Sequence, residues 1–315
     1  MTRLSICSYF AVALAAGAAG PPLADFCEPF RCDGCEVVWA VPTNRLPASI
    51  SILKVVPTKY PANVISNLLD LAELTYKNRM RPVQTGVFLG KDVLSFGDRE
   101  ETRHLDVVPS EGCVVIVNSR PLAGPKEPSQ GVPSTAQALK LTLKLLPVLG
   151  IPEAELATNR VGKIAPRSFS DETEMHKEKP SGKVVTNLLA RSVQLNRQIE
   201  GVPVWGAAGI GAKFGNHGKL AELNVAWRKV EPFKRCAVPS ARDFVELIKN
   251  GKSLMRSGEA GQFEKVTVTD ALLYYWENSG SEAQKLIHPF AVLEAEALLD
   301  GKKSRIEIFV PFASR

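Results

Sequence analysis

The sequence predicts an α+β protein in which tandem units each pack one helix on an antiparallel meander sheet. Three observations predict it. Runs of alternating apolar and polar residues, the period of a half-buried strand, recur along the chain between glycine, asparagine and aspartate turns. Amphipathic stretches with start signals at Pro61, Ser134 and Ser240 each adjoin a group of such runs. The composition, 45% hydrophobic and 23% charged in 315 residues, is that of a folded chain long enough for two or three domains.

The expected boundaries follow from composition shifts. Residues 1–24 read as a signal peptide, 25–120 as an N-terminal α+β unit, 121–133 as a Pro-rich linker, 134–235 as a second unit and 236–315 as a C-terminal unit. Arg3 supplies a short positive region, Ala11 to Ala19 a run of small apolar residues, and Ala16-Gly17-Ala18 or Ala24 a cleavage site. The expected location is therefore secreted or extracytoplasmic. No later stretch approaches the ~20 apolar residues of a membrane span, so none is expected. The net charge of +6 and pI near 9.0 are spread along the chain, which argues against a nucleic-acid partner.

Residues 26–46 form a Cys-rich lead-in with a short strand over Val37–Val41. Beyond the signal the cysteines are Cys27, Cys32, Cys35, Cys113 and Cys236. An oxidising compartment makes disulfides the default, two bridges with one spare thiol being the simplest count. Two alternatives stand beside it. A metal site on Cys32-x-x-Cys35 would want a further soft or imidazole ligand, and no histidine follows nearby. A redox pair is expected at the start of a helix, whereas a strand follows here.

Ile50, Ile52, Leu53 and Val55 mark the next strand. Pro61 opens a helix whose stripe is Val64, Ile65, Leu68, Leu69, Leu71, Ala72 and Tyr76, with Asn78 and Pro82 ending it. Val87–Leu89 and Val93–Phe96 read as a hairpin turned at Gly90-Lys91-Asp92, and Cys113–Val117 as an apolar strand. Four prolines and two glycines make Pro121–Pro133 a linker. Ser134-Thr135 caps a helix through Leu149, disturbed by Pro147 and ended by Gly150. A strand is expected from Ala157 to Ile164, and an exposed loop from Ser168 to Lys183.

The meander of the second unit runs from Arg191 to Glu231. Val193, Leu195 and Ile199 alternate, Glu200-Gly201 turns the chain, and Val202–Trp205 resumes it. Ile210, Ala212 and Phe214 then Leu223, Val225 and Trp227 follow across a turn at Asn216-His217-Gly218-Lys219. Ser240 starts the third helix, with Phe244, Val245, Leu247 and Ile248 inward and Gly251 at its end. A loop over 252–262 precedes strands at Val266–Trp276, Leu286–Ala297 and Ile306–Phe312.

The segment Arg191–Trp205, with its polar strand, Glu200-Gly201 turn and Val-Pro-Val-Trp-Gly run, resembles the hairpin of the PepSY and fungalysin/thermolysin-propeptide families. Asn216–Gly218 and Leu223–Trp227 stand where those families place the next turn and strand. The helix Ala136–Leu149 stands where they place theirs. The likeness covers about 100 residues. It departs from the propeptide pattern at Asn196 and Arg197, where aromatic residues are frequent. YycH/YycI-like regulatory proteins carry related units. The resemblance implies a PepSY/cystatin-like fold and a non-catalytic role, with another protein or peptide as partner and a secreted peptidase as one candidate.

The residues offer little organised chemistry. His104, His176, His217 and His288 are far apart and no His-Glu-x-x-His occurs. There is no Gly-x-Ser-x-Gly elbow. Gly206-x-x-Gly209-x-Gly211 has Phe214 where a dinucleotide fingerprint needs a small residue, and Gly218-Lys219 leads into Leu220 rather than serine or threonine. No catalytic residue, cofactor or metal is expected. Glu294 and Glu296 share a strand face as paired carboxylates or as ordinary surface charges. Tyr274, Tyr275 and Trp276 stand together, and Trp205 and Trp227 are either core or groove. The binding candidates are Trp205, Trp227, Arg228, Tyr275 and His288. The expected function is regulation or binding of another protein. The alternative is a secreted enzyme or small-ligand binder with a cleft between units.

Overall fold

A computed structural model describes residues 27–30, 32, 34–42, 44–74, 84–88, 91–98, 100, 102–122, 129–159, 161–177, 183–256, 263–278, 284–299 and 301–312. The signal-peptide reading and the turn at Gly90 fall outside them, while the first helix, expected to run to Asn78, ends at Leu71 with Glu73 at positive φ.

In chain order the strands of the first part are β1 (Cys27–Phe30), β2 (Glu36–Trp39), β3 (Ser49–Val56), β4 (Gln84–Phe88), β5 (Lys91–Gly97), β6 (Arg103–Val108) and β7 (Cys113–Asn118). Then come β8 (Pro166–Lys177), β9 (Val184–Asn196), β10 (Gln198–Ile199), β11 (Val202–Gly206), β12 (Gly209–Phe214), β13 (Leu220–Ala226) and β14 (Lys229–Ala237). The last are β15 (Ser253–Arg256), β16 (Phe263–Glu277), β17 (Leu286–Ile287), β18 (Pro289–Leu299) and β19 (Lys302–Pro311). The helices are short: α1 (Ala62–Leu71), α2 (Thr135–Leu143), α3 (Leu146–Leu149) and α4 (Ala241–Lys249).

The chain divides into two compact units. The first takes Val56–Gly201 and Ala208–Lys229; the second takes the described part of Ala19–Val55, Val202–Ala207 and Val230–Arg315. Strand dominates the described residues, and this overturns the expected tandem α+β architecture. In the first unit β4-β5-β6-β7-β13-β12-β9-β8 form one antiparallel sheet of eight strands. β7 pairs with β13 through Val115↔Asn224, so strands assigned to two successive helix-on-meander units share a single sheet. The physical reason is that neither half buries its apolar face alone. Leu105, Val107, Val114 and Ile116 form one core with Val193, Leu195, Ile210, Phe214 and Leu223, under Leu68 and Leu69 of α1 and Leu146 of α3.

Four local readings also change: the loop expected over 252–262 holds β15, paired to β1 and β19, and three others lie in the first unit. The loop expected from Ser168 is β8, an edge strand paired to β9 from Pro166↔Leu195 to Lys177↔Val184. Its side chains are mostly exposed, so it lacks the alternation that marks a half-buried strand. In place of a strand over Ala157–Ile164 there is a 3-10 turn at Glu153–Glu155 and two isolated bridges. The single helix expected through Leu149 stops at Leu143 and resumes at Leu146, with Pro147 in its first turn.

In the second unit β1, β15, β19, β18 and β16 are successive antiparallel neighbours. The other edge of β16 is shared by two parallel strands, β2 at Lys265–Val268 and β11 at Tyr275–Glu277. The Val-Pro-Val-Trp-Gly run therefore leaves the expected meander. Gly206 ends it at φ 107, where an added Cβ would collide with the Glu277 carbonyl oxygen. β14-β3-β17 form a small separate sheet. A capping box between Ser240 and Asp243 starts α4, which buries Phe244 and Ile248. The Trp39 ring stacks on Phe244 at 5.5 Å.

One disulfide joins Cys32 and Cys35; Cys27, Cys113 and Cys236 carry thiols, which corrects the expectation of two bridges. Among the described residues no group of three or more histidines, cysteines or acids is placed to hold a metal ion. No helix of the described residues is long and apolar enough to cross a membrane.

Candidate functional site

The second unit's sheet presents a face on which aromatic and acidic residues meet. A β-bulge in β16 produces it. Val268 pairs with Ala295 and Asp270 with Glu294, leaving Thr269 as the extra residue, its hydroxyl donating to the Glu294 carbonyl at 3.2 Å. Before the bulge Val266 and Val268 point inward; after it Ala271, Leu273 and Tyr275 do. The shift of parity turns Asp270, Leu272, Tyr274 and Trp276 to the outer face.

Register then aligns charges across three strands. Asp270 pairs with Glu294 and Glu294 with Glu307, so three carboxylates lie in a row across β16, β18 and β19. One step along, Glu296 pairs with Arg305. Opposite charges across a strand pair are favourable and like charges are not. The row thus costs stability that the neighbouring Glu296–Arg305 pair does not. Thr269, Glu294, Glu296, Arg305 and Glu307 line an open recess of about 560 Å³. At the end of the row Arg45 forks onto Asp270, Nε to Oδ1 at 2.8 Å and Nη2 to Oδ2 at 3.0 Å.

On the same face, beside the carboxylates, stands an aromatic patch. Trp205 from β11 lies edge-on to Tyr274 at 5.5 Å and to Phe309 at 5.4 Å; Tyr274 stacks on Phe290 at 5.8 Å. Phe290, Val292 and Phe309 are buried beneath half-buried Trp205, Tyr274, Trp276 and Leu254. All of these residues come from strands of this one sheet. Burial, then the charges of Glu307, Glu294 and Asp270, push the Tyr274 hydroxyl above its ordinary range. Four residues on from Asp270 and on the same face of β16, Tyr274 stands at the seam between patch and row.

The sequence candidates fall in different places. Trp205 is central to the patch. Tyr275 is fully buried on the opposite face, its hydroxyl donating to the Ser51 carbonyl at 3.0 Å. His288 is half-buried between β17 and β18, and its carbonyl accepts from the Trp276 amide at 3.2 Å. Trp227 and Arg228 belong to the first unit. Trp227 is buried, donates to Glu155 at 3.1 Å and lies 4.9 Å from the Arg197 guanidinium carbon; Arg228 is buried on Glu111, Nε to Oε2 at 2.8 Å. Glu294 and Glu296 are surface charges on one face, and Glu294 belongs to the row. The residues missed were Arg45, Asp270 and Glu307; Tyr274 stands in the sequence reading with Tyr275 and Trp276 as core or groove. The slip of apolar positions from even (Val266, Val268) to odd (Ala271, Leu273, Tyr275) was a legible sign of the bulge.

In the first unit Ser95, His104 and Asp106 come together on paired strands. The serine hydroxyl and His104 Nε2 both turn to the Asp106 carboxylate, the latter at 2.7 Å. A nucleophile needs its base beside the hydroxyl, and here the carboxylate stands between them.

No family model matches the chain, and no curated protein does. Among solved structures, an uncharacterized protein from Eubacterium rectale ATCC 33656 matches with a TM-score of 0.44 and 8% identity, covering 87% of this chain and 86% of that one. At that level the likeness assigns neither fold nor function.

Proposed function

We propose that this is a non-catalytic, extracytoplasmic protein that binds a basic, partly apolar segment of another protein on the outer sheet face of its second unit. The observation that carries the reading is the row Asp270, Glu294 and Glu307 set beside Trp205, Tyr274 and Trp276. Carboxylates in register favour a cationic ligand, and half-buried aromatic faces favour cations and apolar side chains alike. A secreted peptidase is one candidate partner. The N-terminal residues and the Cys32–Cys35 disulfide support the extracytoplasmic location.

The test is a titration of the full chain with a short peptide alternating arginine and leucine, and with its glutamate-for-arginine counterpart. Calorimetry and tryptophan fluorescence read the binding. The cationic peptide should bind selectively, weaken with added salt, and lose roughly tenfold in affinity in the Glu294→Lys/Glu307→Lys variant, whose unfolding midpoint should be no lower than that of the wild type. Equal behaviour of the two peptides, or indifference to the double substitution, overturns the proposal.

A further inference from the structure

We infer that Arg45 is an in-chain occupant of this face, holding the position that an arginine of the partner would take, so that the preferred ligand is a peptide carrying guanidinium groups. The inference rests on the function proposed above and deepens it. Arg45 lies between β2 and β3, in a turn closed by its own amide donating to the Pro42 carbonyl at 3.1 Å. Its fork meets both oxygens of Asp270, the two-point geometry that a planar guanidinium matches and an ammonium does not. Hydrogen bonding and charge from Asp270, with Glu294 adding to it, hold the Arg45 pKa above its ordinary value, so the second carboxylate of the row also acts on this cation.

The pair is built to exchange. The side chains of Arg45 and Asp270 are 41% and 27% exposed, and water-exposed ion pairs hold weakly. A second guanidinium arriving from solution must displace a tethered occupant, and it reaches Glu294 and Glu307 next in the row as it does so. An occupant that must leave before a ligand binds lowers the apparent affinity by the fraction of time it is in place. Arg45 thus sets both the chemistry of the ligand and the threshold for its entry.

The experiment compares wild type, Arg45→Gln and Arg45→Lys in calorimetric titrations with the arginine–leucine peptide and a lysine–leucine peptide of the same length. Wild type should prefer the arginine peptide several-fold. Arg45→Gln should bind that peptide roughly two- to fivefold more tightly. Arg45→Lys, which keeps the charge and loses the fork, should fall between. Thermal unfolding checks that each variant is folded, and Arg45→Lys carries the comparison if Arg45→Gln is not. If wild type binds the arginine peptide and both variants bind it equally or less well, Arg45 is a scaffold and the inference fails while the proposed function stands. If neither wild type nor any variant binds a cationic peptide, the proposed function fails and takes this inference with it.

Discussion

Arg228 and Glu111 form an ion pair in which both side chains are nearly inaccessible, at 2% and 6%. They stand 117 residues apart in the sequence. Arg228 follows the last strand of the first unit's sheet, and Glu111 sits in the 3-10 turn before β7. Next to them Arg197 donates to the Arg228 carbonyl at 2.7 Å and to Glu155 at 2.7 Å. A charge removed from such a pair strands its partner in a poorly solvated place.

Truncating Arg228 to alanine should therefore destabilise the protein by about 3–5 kcal/mol. Replacing both residues, as Glu111→Leu with Arg228→Met, should recover most of that loss. Urea denaturation of the two singles and the double measures it. A small effect of Arg228→Ala would mean that water reaches Glu111.

Asp98 should mark the acid limit of the first unit. Burial alone would raise its pKa, but hydrogen bonds from Thr102 and Arg103 outweigh burial and hold it below the ordinary 3.8. A carboxylate whose folded-state pKa is depressed contributes stability that is fully present above its unfolded value and lost as pH falls through the folded one. Stability should thus decline below about pH 4, and less steeply in Asp98→Asn. Unfolding midpoints across that range decide it.

Gly206→Ala should cost about 2 kcal/mol or more, since the residue combines positive φ with a collision against the Glu277 carbonyl. The loss should fall on the pairing of β11 with β16. Hydrogen exchange at the Ala207 amide, which donates to Glu277 at 3.1 Å, should report it locally. Unchanged protection there would show that β11 is held by other contacts.

Trp205→Ala should separate binding from folding. The ring is half-buried and rests on Tyr274, Phe290 and Phe309. Its loss should lower affinity for the arginine–leucine peptide roughly tenfold, as removal of a central aromatic anchor does. The same substitution at buried Trp227, in the other unit, should lower stability and leave the affinity of the folded protein unchanged. Equal loss of affinity from both would place the binding surface elsewhere.

Much of the local structure was legible. Ser134 and Ser240 announced helix starts, and both cap their helices, in boxes with Gln137 and Asp243 that only the structure shows. Glu200-Gly201 announced a turn, and both residues take positive φ. The Ile210–Phe214 and Leu223–Val225 alternations pair as β12-β13 in the expected antiparallel sense, while Val193–Leu195 pairs with β12 in place of the expected Val202–Trp205 strand. Each of these signals lies within a few residues of the structure it sets, because capping, turn geometry and side-chain alternation are short-range properties of the backbone.

The partners of the strands were another matter. Nothing in Val-Pro-Val-Trp-Gly states that it runs parallel to Tyr275–Glu277, some seventy residues on by the numbering, instead of antiparallel to its neighbour. Nothing in Cys113–Val117 states that it closes onto Leu223 and Val225. Long-range pairing is chosen by which apolar faces can be covered together, a property of the whole chain. The candidate site depends on it most heavily. Asp270, Glu294 and Glu307 are unremarkable surface acids until a one-residue bulge and two strand registers set them side by side. Alternation in the sequence determined which residues turn outward; only the assembled sheet decided which of them meet.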